Sequence, residues 1–126
     1  MGSTKMECGW LRCESRKAMD GLWTVEFGSS AGVSGAGVAV FQHGKIMGGD
    51  AGYYYIGEYR LDGEKLLVTL DVLPFIPNYE SVFKTTGHAL KLKLEGTLLS
   101  GTQAIAQGCP EGMPTLRFGA KLTKRC

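Results

Sequence analysis

The sequence predicts an all-β protein, an eight-stranded antiparallel up-and-down barrel, on three observations. Apolar and polar residues alternate with a period of two in run after run, tight-turn residues separate the runs, and no convincing stretch has a helical period. Glycine supplies 19 of the 126 residues, about twice its usual share of ~7%. The glycines fall singly or in pairs between apolar runs, which suits sheet corners and close backbone approaches better than disorder.

At 126 residues the chain has the length of one domain. Residues 1–18 are charged and aperiodic and read as a flexible arm or extension, while residues 19–126 carry the strand pattern and read as the barrel domain. From Asp20 onward Trp23, Val25 and Phe27 share one face and Thr24 and Glu26 the other, which makes a first strand. Gly28 to Gly35 reads as a loop by its Gly and Ser content. Gly37–Gln42 is a second strand, His43-Gly44 a tight turn, and Lys45–Gly48 a short third strand that breaks at Gly49-Asp50-Ala51-Gly52.

Tyr53–Tyr59 is a fourth strand with bulky residues on both sides, so its inward face is left open. Asp62-Gly63 is a strong hairpin signal, and Lys65–Leu73 follows with Leu66, Val68, Leu70 and Val72 as an apolar face. The connection from Pro74 contains a second proline, which excludes a central strand there. Tyr79–Phe83 within it has room for one helical turn. His88–Glu95 alternates cleanly, with Leu90, Leu92 and Leu94 opposite Lys91, Lys93 and Glu95. A weaker strand lies within Thr97–Gln107, CPEGMP is a loop, and Thr115–Lys124 turns Leu116, Phe118, Ala120 and Leu122 inward.

Eight short strands without a long crossover close most simply into an up-and-down barrel, with a two-sheet sandwich as the structural alternative. A barrel of that size is either just filled by its own side chains or holds one small ligand.

Composition narrows the function. A formal charge of +2, without a basic cluster interleaved with aromatic residues, argues against direct nucleic-acid binding. No apolar run approaches the ~18 residues of a membrane helix, and the charged first eighteen residues do not make a secretory signal. The expected location is therefore cytoplasmic, with Cys8, Cys13, Cys109 and Cys126 as reduced thiols. Cys8 and Cys13 lack the further ligands of a structural zinc site, so no metal and no cofactor is expected.

Nor do the residues spell out catalysis. His43 falls in a turn and His88 opens a strand, neither with a nucleophile or carboxylate at motif spacing, so the chain reads as non-enzymatic. Asp50 reads as a turn residue that caps nearby backbone N–H groups. Tyr53, Tyr54, Tyr55 and Tyr59 suit a ligand wall, a protein interface or a barrel core with hydroxyls at its rim.

DGLW at Asp20–Trp23, GAGVAVFQHGKIMGGD at Gly35–Asp50, the YYYIGEY strand and SVF before a glycine together resemble the GrlR-like family over roughly Met19–Lys124. The resemblance implies a lipocalin-like eight-stranded barrel that forms a homodimer, from a bacterial family whose namesake negatively regulates type III secretion genes. It also implies a function without chemistry, in which the barrel binds a helix-turn-helix transcription activator and acts as a repressor. The family's docking loop carries four consecutive carboxylates. The matching loop here offers Asp62 and Glu64, followed directly by Lys65.

Two functions are accordingly expected. In the first, a regulatory barrel sequesters an activator through Asp62 and Glu64. In the second, a carrier or sensor holds a small, lipid-like apolar molecule inside the barrel. Its expected lining is Trp23, Val25, Phe27, Tyr53, Tyr55, Val68, Leu70, Leu90, Leu92 and Phe118.

Overall fold

Strand alternation turns into a rolled sheet in the computed structural model, which describes residues 18–77 and 89–126. The strands are β1 (Gly21–Ser29), β2 (Ser34–Gln42), β3 (Lys45–Gly49), β4 (Tyr53–Asp62), β5 (Lys65–Pro74), β6 (Leu90–Leu98), β7 (Gln103–Pro110) and β8 (Phe118–Lys124). Each pairs with its neighbours in chain order, and the sheet closes as a single barrel. The closing seam is antiparallel and sets Val25 against Leu122 and Phe27 against Ala120. Residues 1–17 of the expected arm, with Cys8 and Cys13, the expected turn at Tyr79–Phe83, and His88 lie outside the described residues.

Closure bends every strand, and glycine takes the bends where neighbouring backbones come closest. A Cβ at Gly96 would lie 1.9 Å from the Ile105 carbonyl oxygen, and one at Gly57 would lie 2.2 Å from that of Thr69. No side chain fits such a gap, so these two positions require glycine. The β2–β3 turn uses the other property of that residue. His43 and Gly44 both have positive φ, 50° and 81°, as the two-residue hairpin turn that matches strand twist demands.

Inward residues form one continuous core that includes Trp23, Phe41, Leu66, Leu92 and Leu122. The fourth strand resolves in favour of Tyr53 and Tyr55, which are 3% and 8% exposed, whereas Ile56 is 50% exposed on the outer wall. The outer face also exposes Leu22, Val38, Met47, Tyr54 and Ile105, and it carries cross-strand ion pairs. Lys45 meets Glu58 at 2.8 Å, and Lys91 meets Asp71 at 3.1 Å. Hydrogen bonding and charge from Lys45 hold the Glu58 carboxyl below the usual carboxylate range. Both side chains are well exposed, so this pair has little bearing on stability.

Several sequence-derived boundaries shift. Gly28 and Gly35, expected in a loop, are paired strand residues in β1 and β2. Thr97 belongs to β6. The seventh strand runs on to Pro110, which pairs opposite Leu92 at its very end, where one missing N–H does least harm. Cys109 is a free thiol, but Cys126 is disulfide-bonded, contrary to the expectation of a reduced thiol there.

Candidate functional site

The two ends of the barrel differ in chemistry. At the end where β1 begins, Met19 and Trp23 are fully buried. The Trp23 indole N–H donates to the Met19 carbonyl oxygen at 2.9 Å. Phe41 packs edge-on against Trp23 at 6.0 Å between ring centroids and against Tyr59 at 5.1 Å. The Tyr59 hydroxyl donates to Asp20 Oδ1 at 2.9 Å, and the same oxygen accepts the backbone N–H of His43 at 3.3 Å. Burial, reinforced by the bond to Asp20, pushes the Tyr59 hydroxyl up to about 12. This end is a plug.

Above the plug the barrel is hollow. A cavity of about 240 Å³ extends from Phe41, Ile46 and Leu66 at its floor to Val33, Asp50 and Ala51 at the opposite end. The void has a cause in the sequence. Along β2 the inward residues run Gly35, Gly37, Ala39 and Phe41, small at the mouth and large at the floor, while β7 and β8 contribute Ala106 and Ala120. Eight strands enclose enough width for side chains to meet across the axis. Alanine and glycine on three of them leave the middle unfilled.

Nine of the ten expected lining residues line this cavity: Val25, Phe27, Tyr53, Tyr55, Val68, Leu70, Leu90, Leu92 and Phe118. Trp23 does not. It points inward as its alternation requires, but one layer too low, and serves as packing beneath the floor. Alternation sets the face of a residue and says nothing of its depth along the axis.

The wall is chiefly aliphatic and aromatic, with Asp50 and the two tyrosines as its notable polar groups. Asp50 Oδ1 accepts the backbone N–H groups of Gly52 and Tyr53, each at 3.0 Å. This is the turn role expected of it. Its other oxygen, Oδ2, accepts the Tyr55 hydroxyl, a contact that sequence reasoning missed. Gly37 makes room for the pair, since a Cβ there would come within 3.0 Å of the Tyr55 hydroxyl and 3.3 Å of Asp50 Cβ. Knowing the β3–β4 register, in which Gly48 faces Tyr55, would have brought Asp50 and Tyr55 together. Spacing alone did not supply that register.

The other expected site is separate. Asp62 and Glu64 are exposed at the β4–β5 turn, on the plugged end and away from Asp50. Asp62 pairs opposite Lys65, Gly63 makes the reversal with a φ of 63°, and the Glu64 carbonyl accepts the Leu98 N–H at 2.8 Å. Among the described residues, no group of three or more His, Cys, Asp or Glu side chains is placed to hold a metal ion. No helix among them is long and apolar enough to cross a membrane.

No protein-family model matches the chain, and no curated protein matches it. Among solved structures it is similar to one described as a redesigned β-barrel, with a TM-score of 0.63 and 17% sequence identity. That likeness covers 91% of this chain and 98% of the other. At such identity the agreement is one of architecture, and the architecture it supports is the closed β-barrel.

Proposed function

We propose that this protein is a non-enzymatic binding barrel that holds a small apolar molecule in its interior. The observation behind the reading is the cavity of about 240 Å³ above the plug, with its largely apolar wall and a fixed polar pair at one side. Ligand sites are typically apolar with a few placed polar groups, and commonly span ~300–1,000 Å³. This one falls just below that range, and an apolar cavity of ~150 Å³ already accepts benzene. The occupant is accordingly a short-chain or single-ring compound, smaller than a typical long-chain lipid.

Calorimetric titration with octanol tests the reading. Saturable binding at one site per chain, with a negative heat-capacity change, is expected for apolar burial. Heats no larger than dilution, at every temperature, would contradict it.

A second reading follows from the GrlR-like resemblance: capture of a helix-turn-helix activator by Asp62 and Glu64. Exposure of both side chains at a turn favours it. Lys65 opposite Asp62 works against it by diluting the negative charge offered to a basic partner. Reversing both charges, D62K together with E64K, should abolish capture of such an activator if this turn is the docking point. The disulfide-bonded Cys126 supports action in an oxidising compartment rather than in the cytoplasm.

A further inference from the structure

The charge of the cavity wall bears on the polar end that a bound molecule can carry. Asp50 is the only ionisable acid or base, tyrosine aside, among the described residues that line the cavity, and no lysine, arginine or histidine stands with it. The carboxylate is also fixed. Two backbone N–H groups hold Oδ1 and the Tyr55 hydroxyl holds Oδ2, so its direction is set before anything binds. Beside it Tyr53 and Tyr55 are buried in the same wall, and aromatic faces attract cations.

We infer that the cavity selects an apolar molecule bearing a protonated amine, with the ammonium at Asp50 and the Tyr53 and Tyr55 rings and the hydrocarbon toward Leu66 and Leu92. This inference rests on the interior-binding reading. An anionic head group would enter a wall of low polarity that already carries a negative charge and, among the described residues, offers no cation to offset it, which costs far more than in water. A neutral alcohol would meet an acceptor but gain no charge interaction. The order of affinity is therefore amine, alcohol, carboxylate. Volume limits the body to a short chain or one ring, as above.

Three probes of one chain length separate the head group from the body: octylamine, octanol and octanoate, titrated at neutral pH into the full chain. Octylamine should bind at least tenfold more tightly than octanoate, with octanol between. D50N keeps an oxygen for the Gly52 and Tyr53 N–H groups and removes the charge. It should bring the amine and carboxylate within threefold of each other. A51K adds an ammonium at the exposed neighbour of Asp50 without disturbing the core, and should cut the amine-to-carboxylate ratio at least fivefold. It carries the test if D50N does not fold.

Equal binding of all three probes, or tightest binding of octanoate, overturns the amine preference and leaves the interior reading standing. A wild-type preference that survives in both variants overturns the assignment to Asp50. Failure of all three probes to bind overturns the interior reading, and this inference with it.

Discussion

The Tyr59 hydroxyl and the Asp20 carboxylate, 39 positions apart in sequence, meet at 2.9 Å and tie the start of β1 to the middle of the sheet. The contact closes the plugged end, and it makes that end sensitive to alkali. The ordinary tyrosine value is ~10, and the folded value is pushed up to about 12, by burial first and then by the bond to Asp20. Between those limits the unfolded chain releases a proton that the folded chain keeps, so rising pH favours unfolding. The stability that Tyr59 contributes is complete below pH ~10 and is lost as pH rises through about 12. In urea melts Y59F should be less stable than wild type at neutral pH by about 1 kcal/mol, a low figure because Tyr59 is only half-buried and solvent screens the pair. The gap should shrink steadily above pH ~10; a constant gap would mean that this hydroxyl is not the titrating group.

Trp23 should matter for stability and not for ligand binding. W23A removes a fully buried indole and should cost ~3–5 kcal/mol, a large share of the ~5–15 kcal/mol available to a domain. W23F keeps an aromatic ring against Phe41, loses the bond to the Met19 carbonyl, and should cost less. Octanol affinity should hold in W23F because Trp23 lies below the cavity floor.

Glycines at closure points should be intolerant and turn glycines permissive. G96A drives a Cβ to within 1.9 Å of the Ile105 carbonyl. Overpacking of this kind should cost at least the ~1–3 kcal/mol seen in crowded cores. At Gly101 an added Cβ meets nothing within 4 Å, so G101A should stay within about 0.5 kcal/mol of wild type. Parallel chemical melts of the two variants make the comparison. Equal effects would contradict the close strand approach at Gly96.

Filling the void should trade binding for stability. A120L extends a side chain from β8 into the cavity and should raise stability by about 0.5–2 kcal/mol, as cavity-filling changes commonly do. Octanol affinity should fall at least tenfold in the same variant. Unchanged affinity in a folded A120L protein would place octanol elsewhere.

Most of the barrel was legible because a closed sheet with a watery exterior imposes a period of two, and Leu90, Leu92 and Leu94 against Lys91, Lys93 and Glu95 display it without ambiguity. The fourth strand was not, because Tyr54 and Ile56 leave apolar surface on the outside, so composition could not tell its two faces apart. Gly35 looked like loop for a related reason. It is small because the Phe27 ring lies 2.9 Å from where its Cβ would be, a packing demand between two strands that local composition cannot express. The cavity wall followed from the alternation, and the misplacement of Trp23 shows what alternation omits. Its neighbours Val25 and Phe27 reach the cavity, yet Trp23 stands nearer the plug. The Asp50–Tyr55 contact depended on the register of a short hairpin, and Asp50 alone looked like an ordinary turn residue.

The hollow interior is tested most directly by methyl NMR during an octanol titration. Saturable shifts are predicted for the methyl groups of Val25, Val68, Leu70, Leu90 and Leu92, which line the cavity, while those of Leu22, Ile56 and Ile105 on the outer face stay still. Movement confined to the outer methyls, or none at saturating octanol, would contradict an interior that accepts a ligand.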